Sequence, residues 1–109
     1  LVEYLSNSKQ EVFPVVNAKN ELIGIIDFED LKPIVFNSFR VKYTTISEVM
    51  KAPVDVISYE DGMELVMEKF ENSHLEQLPV TKNGKYFGFI SKVSVLESYR
   101  KKLKEMVIE

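Results

Sequence analysis

The chain has 109 residues, 45% of them hydrophobic, and a net charge of −3 from 17 acidic and 14 basic side chains. That length predicts one domain whose core hides about 60–70% of the surface the unfolded chain exposes. The absence of cysteine excludes disulfides and thiolate metal sites and suits a reducing compartment. The acidic balance argues against a nucleic-acid partner. No apolar run approaches the ~18–20 residues of a membrane span, and no signal-peptide pattern is present.

In chain order, LVEYLSNS (1–8) reads as an amphipathic helix with neither an initiator Met nor a helix-start signal, so the chain is expected to be a piece of something longer. EVFPVV (11–16) and ELIGII (21–26) read as strands, and the segment around FEDLKPIVF (28–36) as a helix. NSFRVKYTT (37–45) reads as a linker. Thr45 followed by Glu48 has the form of a capping box opening a short turn, ISEVM. VDVI (54–57) is a β-branched run and predicts a strand. Asp61 with Glu64 forms a second capping-box pattern, and Met63, Val66, Met67 and Phe70 repeat at helical spacing, which predicts a core-facing stripe. QLPVTK and KYFGFI flank Asn83-Gly84, a hairpin signal because both turn positions need positive φ. SKVSVLESYRKKLKEM closes the chain as a helix with Val93, Leu96, Tyr99, Leu103 and Met106 on one face.

The same phrase occurs twice. Setting FPVV (13–16) against LPVT (78–81) makes Glu3, Asn7, Ser8, Glu11, Pro14 and Val15 identical to Glu68, Asn72, Ser73, Glu76, Pro79 and Val80. One extra residue in NAKNE restores the register, so that Gly24 meets Gly88 and Ile26 meets Ile90. The second copy reads β-α-β-β-α. The first lacks the opening strand and the start of its helix. The expected fold class is therefore α+β, with an N-terminally incomplete first repeat and linker at 1–44 and a second repeat with its C-terminal helix at 45–109.

The phrases FPVVNAKNELIGIIDFEDL and LPVTKNGKYFGFISKVSVL resemble a tandem CBS (cystathionine-β-synthase type) domain pair, whose two repeats are related by a pseudo-two-fold. DFEDLKPIVFN, TTISEVMKAPVDVIS and GKYFGFISKVSVLESYRKKL look like the C-terminal cytoplasmic CBS pair of prokaryotic chloride channel/transporter proteins. This resemblance implies a regulatory module on the cytoplasmic side of the cell membrane, within an integral membrane protein. It further implies a homodimer formed through CBS helices and packing against the membrane domain of the same parent chain. Soluble enzymes and magnesium transporters also carry such pairs. A purely structural dimerisation module and a sensor domain of another parent are the alternatives.

The resemblance also implies an adenine nucleotide (ATP, ADP or AMP) as ligand, with Asp30 holding the ribose. A carboxylate suits that task because it accepts two charge-assisted hydrogen bonds from a vicinal diol. The family's phosphate-contacting Ser/Thr falls on Asp27, which would repel phosphate. The second copy supplies Ser91 there but has Ser94 where the Asp would be. Pro14 belongs to the segment that lines the cleft in the family. The plainer reading is that Asp27 and Ser91 are N-caps. Asp30 then sits at the positive end of a helix dipole, and Pro14 and Pro79 punctuate strand starts. On that reading nothing small is bound.

No nucleophile, base and orienter can be assembled from these residues, so no enzyme activity is expected. Gly24 and Gly88 belong to no phosphate-loop pattern and are expected to allow close backbone approach in strands. His74, the only histidine, falls at a helix end. The basic run RKKLK (100–104) suits a helix C-terminus and a Glu97–Lys101 pair, or contact with anionic headgroups or an acidic partner surface.

Overall fold

A computed structural model describes residues 11–107; the helix expected at 1–8 lies outside them. Two antiparallel hairpins carry the architecture. In the first, β1 (Val12–Val16) pairs with β2 (Leu22–Asp27), placing Pro14 opposite Ile25 and Val15 opposite Gly24. In the second, β4 (Gln77–Lys82) pairs with β5 (Lys85–Ser91), placing Pro79 opposite Phe89 and Val80 opposite Gly88. The register shifts at Val15/Val16 in one and at Val80/Thr81 in the other, the same place in both copies. Each hairpin also ends alike: Phe28 N–H donates to the Glu11 carbonyl (2.7 Å), and Lys92 N–H to the Glu76 carbonyl (2.8 Å). The sequence repeat is thus a structural repeat, and the fold is a mixed α+β one.

The turns follow from local chemistry. Asn83 (φ 53°) and Gly84 (φ 78°) supply the two positive φ angles of the second hairpin. The longer first turn is held by Asn17, whose Oδ1 accepts from the N–H groups of Lys19 and Glu21, both at 2.9 Å. Both prolines lie inside strands rather than at their starts. They are tolerated because β1 is an edge among the described strands, and because β3 (Ile57–Ser58) pairs with β4 only at Val80 and Thr81, just past Pro79.

Of the strand expected at 54–57 only Ile57 is extended in the ladder, as the first residue of β3. Asp55 Oδ1 takes the N–H of Val56, and the Val56 carbonyl accepts from Lys69 Nζ at 2.8 Å, so side chains take the place of ladder bonds there.

Five helices accompany the strands among the described residues. α1 (Phe28–Val35) starts at Asp27, whose Oδ1 accepts from Glu29 N–H, and buries Ile34. The expected linker contains a helix, α2 (Ser38–Tyr43), because Asn37 Oδ1 caps Arg40 N–H. α3 (Ile46–Val49) is the short turn expected, but Thr45 makes no capping bond to it. Likewise Asp61 does not cap α4 (Met63–Ser73). Its Oδ2 accepts from Ser58 N–H and from Lys69 Nζ (2.7 Å), and Gly62 stands at the cap. α4 ends at His74 in the left-handed conformation (φ 57°). α5 (Lys92–Val107) closes the described chain, with Glu97 paired to Arg100 (3.8 Å) rather than to Lys101.

The main core is Ile57, Val66, Phe70, Leu78 and Val95, with Met63 and Met67 packed against it. The methionine–phenylalanine stripe of α4 therefore faces the core as its spacing predicts. Among residues 92–106 of α5 only Val95 is buried. The apolar face Val93, Leu96, Tyr99, Leu103 and Met106 is exposed.

Candidate functional site

Among the described residues, backbone hydrogen bonds join the two copies at two places. At the hairpin tips, Tyr86 N–H donates to the Asn20 carbonyl (2.8 Å), Asn20 Nδ2 returns a bond to the Tyr86 carbonyl (3.1 Å), and Lys85 Nζ reaches the Lys19 carbonyl (2.9 Å). Burial at this junction raises the pKa of the Tyr86 phenol. At the other place the segment entering the second repeat crosses β2. Ile25 N–H donates to the Lys51 carbonyl (2.8 Å) and Lys51 N–H to the Ile25 carbonyl (2.9 Å). Ile25 is thus bridged by Pro14 on one edge and Lys51 on the other.

Gly24 makes this crossing possible. A Cβ there would stand 3.0 Å from Met50 Sδ and 3.3 Å from the Lys51 carbonyl. The close approach expected of Gly24 is therefore present. Gly88 has open space around it, and its glycine is explained by its positive φ of 157° instead.

Asp30 lies in the first turn of α1, with its carboxylate 49% exposed and Oδ2 3.4 Å from Lys51 Nζ. A carboxylate from one repeat thus faces a cation from the segment that opens the other. Asp27 is engaged by its cap, and its negative charge stands beside Asp30 in sequence and on the same helix start. Phosphate is disfavoured at Asp27 itself; Lys51 is the cation that could answer one nearby.

Ser91 and Ser94 satisfy each other. The Ser91 hydroxyl donates to Ser94 Oγ (2.8 Å) and accepts from Ser94 N–H (3.1 Å), which is the N-cap geometry expected at α5. Ser91 also lines an open hollow with Glu11, Glu76, Gln77 and Val93. Two carboxylates there oppose an anion. The described residues hold no group of three or more His, Asp or Glu able to bind a metal.

Sequence reasoning missed Lys51 as the partner of Asp30, because the contact depends on how the crossing segment packs on β2. It also missed the Asp61–Lys69 pair, whose side chains are only 14% and 20% exposed. The hydrogen bond from Lys69, and then that from Ser58 N–H, hold the Asp61 carboxyl below its usual range.

Two repeated hairpins, each handing its last strand to a helix and joined through a crossing segment, define the CBS class of module. A family model described as the CBS domain matches residues 46–101, and the chain belongs to that family. Among curated proteins none matches. Solved structures share the fold. Staphylococcus aureus OpuCA is 15% identical, with a TM-score of 0.69 over 93% of this chain and 83% of that one. CBSX2, solved in complex with AMP, is 20% identical, with a TM-score of 0.69 over 92% of this chain and 78% of that one. The soluble part of a magnesium transporter is 18% identical, with a TM-score of 0.72 over 93% of this chain but 38% of its own length. At such identities the likeness is one of fold.

Proposed function

We propose that this chain is the regulatory CBS pair of a chloride channel or chloride/proton transporter, with repeats at 1–44 and 45–109, and that it takes an adenine nucleotide at Asp30. The observation that carries the ligand reading is the Asp30–Lys51 pair. A ribose diol bonded to Asp30 would act on the residue that the second repeat sends across β2. Ligand occupancy would then bias how the two copies sit against each other. Such a bias requires that the ligand favour one arrangement over the other. The AMP complex of CBSX2, a protein of the same fold, supports adenine nucleotide as the class to test first.

The parent assignment rests on the phrases DFEDLKPIVFN and GKYFGFISKVSVLESYRKKL. In this reading the module dimerises through its helices beneath the membrane domain. The exposed apolar face of α5 is a surface suited to that contact. No helix among the described residues is long and apolar enough to cross a membrane. The coding sequence upstream tests the parent directly: a run of apolar helices supports a channel or transporter, and a catalytic domain refutes it.

A second reading has its own support. Asp27 and Ser91 are occupied as caps, and Ser94 is bonded to Ser91. On this basis the module dimerises and binds nothing small. Calorimetric titration of ATP, ADP and AMP into the chain and its Asp30→Ala variant separates the two. A carboxylate hydrogen-bonded to a diol contributes about 2 kcal/mol, so Asp30→Ala should weaken binding roughly thirtyfold.

A further inference from the structure

Residues 31–47, LKPIVFNSFRVKYTTIS, contain no carboxylate in a chain that is otherwise net acidic; their charges are Lys32, Arg40 and Lys42. Every residue from Val35 to Tyr43 is exposed, and α2 buries none of its side chains. Three aromatic rings lie on this stretch, Phe36 (90% exposed), Phe39 (70%) and Tyr43 (62%). Phe39 and Tyr43 stack with ring centroids 4.8 Å apart, and Lys42 Nζ lies 5.7 Å from the Tyr43 ring centre. Core packing does not explain these aromatics. An exposed cluster of this kind marks a contact surface.

We infer that α2 and its flanks form a docking surface for an anionic lipid bilayer. The charge complementarity rests on Arg40 and Lys42, the only charges between Phe36 and Tyr43; Lys32 is paired with Glu29 at 2.8 Å. Aromatic side chains beside Lys and Arg are the combination that settles at headgroup depth, apolar faces inward and charges against lipid phosphate. A two-fold contact with a second copy would instead press this cationic patch against the same cationic patch. The inference goes beyond the proposed function, because it depends neither on a nucleotide nor on what the parent transports.

The test is co-sedimentation of the chain with phosphatidylglycerol vesicles and with phosphatidylcholine vesicles at low and high salt. Binding to the anionic vesicles, lost at high salt and weak on the zwitterionic ones, is expected. Each cation near an anionic surface is worth about fivefold, so Arg40→Gln/Lys42→Gln should weaken binding on the order of twentyfold. Phe36→Ser/Phe39→Ser should weaken it as well, with far-UV circular dichroism unchanged because both sites are exposed. The charge variant serves alone if the aromatic one misfolds. Absence of binding to phosphatidylglycerol would overturn the inference. So would binding that neither double variant reduces, or that is lost only on Lys101→Gln/Lys102→Gln in α5. A dimer that Phe36→Ser/Phe39→Ser converts to monomer, without vesicle binding, would assign the surface to a second copy and equally overturn it.

Discussion

Lys51 Nζ stands 3.4 Å from Asp30 Oδ2, while the backbone of the same lysine is bonded twice to Ile25 in β2. One residue thus joins the two repeats through its main chain and meets the candidate ligand carboxylate through its side chain. Both partners are about half exposed, so the ion pair itself adds little to stability. Lys51→Ala should leave the denaturant midpoint almost unchanged, by under about 1 kcal/mol, because the main-chain bonds to Ile25 survive. A large loss measured by urea denaturation would show that the side chain is structural.

Gly24→Ala should act on the crossing from the other side. The new methyl would meet Met50 Sδ at 3.0 Å and the Lys51 carbonyl at 3.3 Å, and overpacking of this kind costs about 1–3 kcal/mol. The sulfur can shift and the carbonyl cannot without disturbing its bond to Ile25. Met50→Ala in the same chain should therefore recover part, not all, of the loss in urea denaturation.

Phe70 is 2% exposed and central to the cluster of Ile57, Val66, Leu78 and Val95. Phe70→Ala should cost about 3–5 kcal/mol. In a small domain that is enough to populate unfolded chain at 37 °C, as loss of near-ultraviolet dichroism would report.

Asp61 gives a pH signature. Its carboxyl is held below the ordinary 3.8 by Lys69 and by Ser58 N–H. A depressed folded value means that its stabilisation is fully present above the unfolded value and fades as pH falls through the lowered folded one. Stability measured from pH 5 down to pH 2 should therefore drop more steeply in the natural chain than in Asp61→Asn, whose curve lacks this contribution. Parallel curves would contradict the assignment.

Much of this was legible from residue patterns. The repeat, the Asn83-Gly84 hairpin, the Asp27 and Ser91 caps and the α4 stripe each rest on chemistry within a few residues. What failed needed tertiary information. Asp61 matches the capping-box pattern as well as Asp27 matches a cap, yet Lys69 and Ser58 recruit it elsewhere. α2 was hidden because Phe39, Val41 and Tyr43 alternate with Arg40 and Lys42, a period of two that does not signal a helix, although Asn37 was a visible start signal. The apolar face of α5 could be read from spacing, but its exposure could not, since only Val95 on that helix meets the core. Lys51 carried no local signal.

The central claim is that Asp30 is a ribose ligand and not only a carboxylate at a helix start. Isothermal titration of AMP, ADP and ATP into the chain, beside the Asp30→Ala variant, tests it most directly. The account predicts binding of at least one nucleotide that Asp30→Ala weakens roughly thirtyfold. Binding unchanged by the substitution, or no binding of any of the three, would contradict it and leave Asp30 as the dipole-stabilised partner of Lys51.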